Sequence, residues 1–140
     1  MKNQKNSLKL RIVKKSDSDF LYNLLKERDP RANISHKKMP NIKQHEKFIL
    51  SKPYSKWYII QNIDEDLGSI YLTKDNEIGI FLIKKIQGKG IGFNALQLLI
   101  EKNPRSRYLA NVNPKNKKST QFFKNNGFKL IQHTYELEKN

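Results

Sequence analysis

The sequence predicts one mixed α/β domain. Three observations carry this. The 140-residue length suits a single domain, since typical domains run about 100–150 residues. Leu, Ile, Val and Phe supply 39 of those residues, above the roughly 20% below which a charged chain stays unfolded. Short β-branched or alternating runs interleave with helical periodicity in the order β-α-α-β-β-β-α-β-α-β.

Residues 1–7 are polar and read as a disordered basic tail, with the domain over residues 8–140. Leu8, Leu10 and Ile12 alternate with Lys9 and Arg11, which suits a first strand. Ser16 or Ser18 is placed to cap a helix bearing Phe20, Leu21, Leu24 and Leu25. Asp29-Pro30 ends that helix, because the residue before proline avoids helical geometry. Residues 31–40 read as a polar loop. Ile42, His45, Phe48 and Ile49 make a second amphipathic helix that stops near Pro53.

Trp57 to Gln61 and Ser69 to Thr73 read as strands around an acidic turn, Asn62 to Gly68. Lys74 to Asn76 is a second turn, and Glu77 to Ile83 a central strand. Gly90 to Lys102 is helical, with Ile91, Ala95, Leu98 and Leu99 on one face. Arg107 to Val112 reads as a fifth strand. Asn113-Pro114 reads as a helix start, and Asn126-Gly127 as its end. Phe128 to Leu137 is expected to be a last strand, whose exposed edge leaves monomer and homodimer both open.

Composition excludes several classes. There is no cysteine, so disulfide scaffolds, cysteine nucleophiles and Cys-ligated metal sites are ruled out. Three scattered histidines lack ligand spacing, so no metal is expected. No apolar run nears the ~18 residues of a membrane span, and a cytoplasmic location is expected. The net charge of +15 attracts phosphates of any origin. It also suits a solvated surface.

The most informative stretch is Gln87-Gly88-Lys89-Gly90-Ile91-Gly92, between a central strand and a helix. Glycines there admit close backbone approach. Unpaired N–H groups at a helix start, aided by the helix dipole, form an anion site. Lys89 adds positive charge. A tight surface turn is the alternative reading. A dinucleotide fingerprint fails because Phe93 stands where its third glycine belongs. A Walker loop fails because Gly90, not Ser or Thr, follows Gly88-Lys89.

The segment resembles the acyl-CoA loop of the GCN5-related N-acetyltransferases (GNAT), Gln/Arg-x-x-Gly-x-Gly/Ala after the fourth strand, through Gln87, Gly90 and Gly92. Downstream, Asn113-Pro114-Lys115-Asn116-Lys117-Lys118-Ser119, then Phe122-Phe123 and Gly127-Phe128, resembles that family's Asn-Pro-x-Asn-x-x-Ala/Ser … Gly-Phe run. The likeness covers roughly residues 8 to 137. It implies a mostly antiparallel sheet flanked by about four helices and splayed between strands four and five. It also implies acetyl-CoA as co-substrate. Leu82 and Ile83 would offer backbone groups to the pantetheine arm. The N–H groups of Gln87, Gly88, Lys89, Gly90, Ile91 and Gly92 would hold the pyrophosphate. Asn116 would contact the pantetheine arm and Phe123 would lie at the cofactor. Lys89 and Lys124 would favour its phosphates.

Acetyl transfer to an amine needs a neutral amine, a stabilised oxyanion and a proton for the thiolate. Several relatives carry a glutamate where Glu77 stands, which makes Glu77 the candidate base; its other reading is an exposed strand-end acid. His36, His45 and Asp75 are weaker candidates, and His45 also reads as a packing residue. The family often places tyrosine seven residues after the Asn116 position. Here that residue is Phe123, which has no proton to give. A degenerate, non-catalytic CoA-binding relative therefore stays open. The resemblance places the acceptor beside Arg28 to Asn41, where Arg28, Arg31, His36, Lys37 and Lys38 favour an acidic amine. A nucleotide-linked amino sugar and a protein N-terminus rank close together. The rival class is a basic nucleic-acid-binding module that stacks bases on Trp57, Tyr58, Tyr71 and Tyr108.

Overall fold

The computed structural model describes residues 7–28 and 39–139. The expected tail apart from residue 7, and the loop cations Arg31, Lys37 and Lys38 with His36, lie outside them. The elements run β1 (Leu8–Ile12), α1 (Ser18–Glu27), α2 (Ile42–Leu50), β2 (Lys56–Asn62), β3 (Glu65–Leu72), β4 (Ile78–Leu82), α3 (Ile91–Lys102) and α4 (Lys117–Asn125). The strands form an antiparallel sheet in the order β1-β2-β3-β4. This is the mixed α/β fold the residue pattern predicts. No helix of the described residues is long and apolar enough to cross a membrane.

Strand periodicity divides the side chains between two helical layers. On one face Tyr58, Ile60, Ile70, Leu72 and Ile78 pack with Ala95, Leu96 and Leu99 of α3. On the other, Ile59 packs with Leu21 of α1 and Ile49 of α2. Full burial of such a side chain contributes about 1.5–3 kcal/mol. Glu77, Gly79 and Phe81 fall on the α1/α2 side of β4.

Two strands expected from the sequence are not formed. Within 107–112, only Leu109 meets the sheet, through one parallel bridge to Glu77. There the Ile78 N–H donates to the Leu109 carbonyl at 2.7 Å, and the Leu109 N–H donates to the Asn76 carbonyl at 2.8 Å. Residues 129–139 are exposed and form no regular element. Apolar periodicity marked both runs, but a ladder also needs a neighbouring backbone, which the local pattern does not encode.

Smaller boundaries also move. The β2–β3 turn contracts to Ile63-Asp64, because Glu65 to Gly68 pair in β3 with a bulge between Ile60 and Gln61. α4 starts later than Asn113-Pro114. Asn113 and Pro114 instead open a turn, in which the Asn116 N–H donates to the Asn113 carbonyl at 2.8 Å. Asn116 is the true cap, its Oδ1 accepting from the Ser119 N–H at 3.1 Å. Proline suits the second position of such a turn as well as a first helical turn, so local chemistry allowed either. α1 is preceded by a 3-10 turn, Lys15–Asp17, so Asp17, not Ser16 or Ser18, stands at the N-cap position, and its side chain does not cap α1. Burial opposes the Asp17 charge, but two 2.9 Å bonds from Arg11 and one from the Lys14 N–H hold its carboxyl below the ordinary value.

Candidate active site

Beyond Leu109 the chain turns away from β4. A cavity of about 100 Å³ opens between Gly79 to Phe81 on one side and Asn111 to Asn113 on the other. Its floor includes Asn116, Ser119 and Phe123 of the α4 region, and Glu77 and Arg28 also line it.

Glu77 is the half-buried acid of this cavity. It follows the turn Thr73 to Asn76, which the Thr73 side chain organises. Thr73 Oγ1 accepts from the Asp75 N–H at 3.2 Å and the Glu77 N–H at 3.0 Å, and donates to Glu77 Oε1 at 3.3 Å. Asn111 Nδ2 donates to Glu77 Oε2. One carboxylate oxygen is thus held by the turn before β4, the other by the segment that diverges from it. Arg105 ties these parts together, donating to the Thr73 carbonyl at 3.2 Å and to Asn76 Oδ1 at 2.8 Å. Tyr108 anchors the same segment by donating to the Asn103 carbonyl at 2.6 Å.

The α1/α2 side of the cavity is aromatic. Tyr71 and Tyr54 stack at 3.8 Å with nearly parallel rings. A Cβ on Gly79 would collide with the Tyr71 ring, so this glycine lets Tyr71 lie on β4. Burial raises the pKa of both phenols and keeps them protonated at neutral pH. Arg28, at the end of α1, holds its guanidinium 4.3 Å from the Phe81 ring centre. Burial lowers its pKa, against the opposing influence of Tyr71 and Tyr54.

Gln87 to Gly92 lie at the other end of β4 and do not line this cavity. Gln87 to Gly90 are exposed, with Gly88 at φ 81° and Gly90 at φ 80°. Both angles favour glycine. Gly90 is the N-cap of α3 and provides no side-chain cap. Among the described residues, no acceptor meets the N–H groups from Gly88 to Gly92. Open space surrounds both positive-φ glycines. These features fit a pyrophosphate. Ile91 has a different job for its side chain, which is buried in the core. Gly92 makes room for Phe122, since a Cβ there would stand 3.0 Å from that ring.

The pantetheine-facing backbone groups need one correction. The Ile83 N–H donates to the Leu67 carbonyl at 2.9 Å and so faces β3. Alternation along the strand turns Ile80 and Leu82 toward the gap instead. The Leu82 carbonyl accepts from Gln87 Nε2 at 3.2 Å.

The cavity therefore brings together Glu77, Asn116 and Phe123 and leaves the glycine loop at the far end of the strand. Asn111, Thr73, Ser119 and Tyr71 are the additions that sequence reasoning missed as site residues. Ser119 had a signal, as the small residue of the Asn-Pro-x-Asn-x-x-Ser run. Asn111 had none, since its partner lies 34 positions away. His45 is buried in the α1–α2 contact, 5.4 Å from the Tyr22 ring, and does not line the cavity. Asp75 is exposed on the turn. The aromatics of the nucleic-acid reading are used internally: Tyr58 is core, Tyr71 stacks on Tyr54, Trp57 packs on Tyr54 and Phe48, and Tyr108 anchors its segment.

Known proteins agree with this architecture. No curated protein matches by sequence. Among solved structures, a domain from Methanocaldococcus jannaschii DSM 2661 superposes with TM-score 0.78 at 21% identity, covering 92% of each chain. RimL, a ribosomal alpha-N-protein acetyltransferase in complex with coenzyme A, gives TM-score 0.72 at 21% identity, covering 93% of this chain and 84% of that one. Spermidine N-acetyltransferase from Vibrio cholerae, in complex with CoA and spermine, gives TM-score 0.76 at 17% identity, covering 91% and 84%. At such identities the likeness speaks for the fold. The model of the acetyltransferase (GNAT) domain matches residues 7–129. With that match over most of its length, the chain belongs to the GNAT acetyltransferase family.

Proposed function

We propose that this protein transfers an acetyl group from acetyl-CoA to a primary amine by direct attack, with Glu77 as the base. The observation that carries the reading is the Glu77 carboxylate, held by Thr73 and Asn111 where β4 and residues 109–113 part. A carboxylate pinned through both oxygens is oriented before substrate arrives. It accepts the amine proton directly or through one water.

The other steps follow from position. Acetyl-CoA supplies the activated thioester. The loop N–H groups from Gly88 to Gly92 bind its pyrophosphate, and Lys89 and Lys124 add attraction. The Ile80 N–H, facing the gap, stabilises the oxyanion. Asn116, whose Oδ1 caps α4, has its Nδ2 for the pantetheine arm. Phe123 packs beneath the cavity and donates no proton. The Ser119 hydroxyl, one helical turn earlier and also lining the cavity, is the proton source for the departing thiolate. A thiol pKa near ~8.5 makes that assistance a modest requirement. The acceptor is a nucleotide-linked amino sugar or a protein N-terminus.

The test is calorimetric titration with acetyl-CoA and CoA at ~0.2 M salt, followed by thiol release with an amine panel. One-to-one CoA binding plus amine-dependent thiol release is the expected result. CoA binding without release under any amine leaves a non-catalytic binder. Absence of CoA binding, with nucleic-acid affinity that collapses as salt rises, overturns the reading.

A further inference from the structure

We propose that Tyr71 is a catalytic residue of the acetyl transfer: its hydroxyl accepts a hydrogen bond from the acceptor amine and, together with Glu77, aims the nitrogen lone pair at the thioester. The proposal rests on the acetyl-transfer reading and deepens it.

The position follows from the sheet. The β3–β4 ladder sets Tyr71 directly opposite Gly79. Side chains of such a pair ordinarily stand side by side. Gly79 has none, and the phenol leans across it: a Cβ on Gly79 would overlap both Cζ and Oη of Tyr71. The hydroxyl end, and not only the ring, therefore lies over β4. Gly79 to Phe81 of that strand form one side of the cavity, and Tyr71 lines it with them. Glu77 stands two residues before Gly79 on the same face, a Cα spacing of about 6.5–7 Å in extended chain. A nitrogen bonded to the Tyr71 hydroxyl is then within reach of the carboxylate, directly or through one water. Ile80, whose N–H is proposed for the oxyanion, is the residue after Gly79.

Packing accounts for the ring but not for the hydroxyl. The stack on Tyr54 at 3.8 Å and the tilted contact with Phe81 at 6.2 Å fix the ring as an aromatic wall on the acceptor side. A phenylalanine would serve both contacts. The titratable groups around the hydroxyl are Arg28 at the end of α1, Glu77 before β4 and Tyr54 before β2. Tyr54 interacts with the Tyr71 hydroxyl, and a phenol oxygen with one donor and two acceptor sites keeps capacity for a ligand as well. Burial raises the Tyr71 pKa, against the influence of Arg28, and Glu77 adds to the rise. Tyr71 thus stays protonated and orients the amine without exchanging a proton. The amine nitrogen forms the C–N bond, the sulfur leaves with the C–S electron pair, and the amine proton goes to Glu77.

The experiment compares Tyr71→Phe with the native protein in thiol release from acetyl-CoA, with an amino-sugar nucleotide and a peptide N-terminus as acceptors. CoA titration and thermal melts accompany both. Tyr71→Phe is expected to bind CoA and melt as the native protein does, while its limiting kcat/KM for the amine falls about tenfold to a hundredfold through lost orientation. The acidic limb of its pH profile, set by Glu77 and the acceptor, keeps its midpoint. An unchanged kcat/KM overturns the proposal. So does a shifted acidic limb, which would mean that Tyr71 acts through Glu77 rather than on the amine. A parallel fall in CoA affinity and melting temperature overturns it in favour of a structural role. No CoA binding by the native protein, or CoA binding without thiol release from either acceptor, defeats the acetyltransferase reading itself. Native turnover that does not depend on the Tyr71 hydroxyl defeats only this assignment.

Discussion

The two ends of β4 are built on opposite principles. At the start, Glu77 is surrounded by side chains with assigned partners: Thr73, Asn111 and, one step out, Arg105. At the finish, Gln87 to Gly90 are exposed, and two glycines with positive φ carry the turn. The first end is organised by side-chain hydrogen bonds between segments far apart in sequence. The second is organised by backbone geometry within six residues. Proton transfer demands an oriented side chain. Phosphate binding demands only N–H groups in a curved backbone and a helix start. On the proposed function, the difference between the ends follows the difference between the tasks.

That contrast breaks cleanly if the ends are not independent. Glu77→Gln is expected to lower kcat by about 10²–10⁴-fold, most at acidic pH where the acceptor is protonated, with CoA affinity unaltered by calorimetry. Gly90→Trp is expected to lower CoA affinity by about tenfold to a hundredfold through lost N–H contacts. That chain still folds, since space around Gly90 is open and the strained φ costs only about 1–2 kcal/mol. If Gly90→Trp leaves CoA affinity intact, the phosphate site lies elsewhere.

A smaller effect sharpens the picture of the acceptor side. Gly79→Ala drives a methyl group into the Tyr71 ring. Denaturant unfolding should show a loss of about 1–3 kcal/mol, with the acceptor KM raised more than the CoA dissociation constant. An unchanged midpoint would show that Tyr71 yields freely and that the wall is not rigid.

The smallest effect is a pH dependence confined to the helical layer behind that wall. Burial lowers the His45 pKa from 6.5, with Glu46 opposing weakly. His45 Nε2 has no partner among the described residues. The folded state then binds fewer protons than the unfolded state below about pH 6.5. The His45 contribution to stability is present above that value and lost as pH falls through the folded pKa. Asp17 moves stability in the same direction at lower pH, because its folded pKa is also depressed. Thermal melts from pH 7.5 to 5 should fall for the native chain and fall less for His45→Met. Parallel curves would assign the acid sensitivity to other groups.

Much of this was legible in the residues. The helices α1, α2 and α3 follow from apolar spacing. Such spacing sits within a few residues, so a local reading finds it. The Asn41 cap was passed over: its Oδ1 accepts from the Gln44 N–H at 2.8 Å while Gln44 Oε1 accepts from the Asn41 N–H at 2.9 Å. The glycine loop was legible for the same reason. The fifth and last strands were misjudged because strand identity depends on a neighbour, and the neighbour was absent along most of both runs. Asn111 entered the site only through topology, approaching Glu77 across 34 positions. Arg28 was already expected near the acceptor from the family resemblance, and the fold lays it over Phe81 from the end of α1.

By itself the sequence determined the α/β class and the approximate course of the helices, and it nominated the glycine segment from Gln87 to Gly92 as a phosphate cradle and Glu77 as a base. Each depends on dihedral preference or on periodicity, which act over a turn or two of chain. Only the tertiary structure decided which groups hold the Glu77 carboxylate, that Arg28 lines the same cavity, and that Gly79 leaves room for the Tyr71 ring. Those facts are contacts between distant segments, and they exist only once the sheet and its two helical layers have brought the segments together.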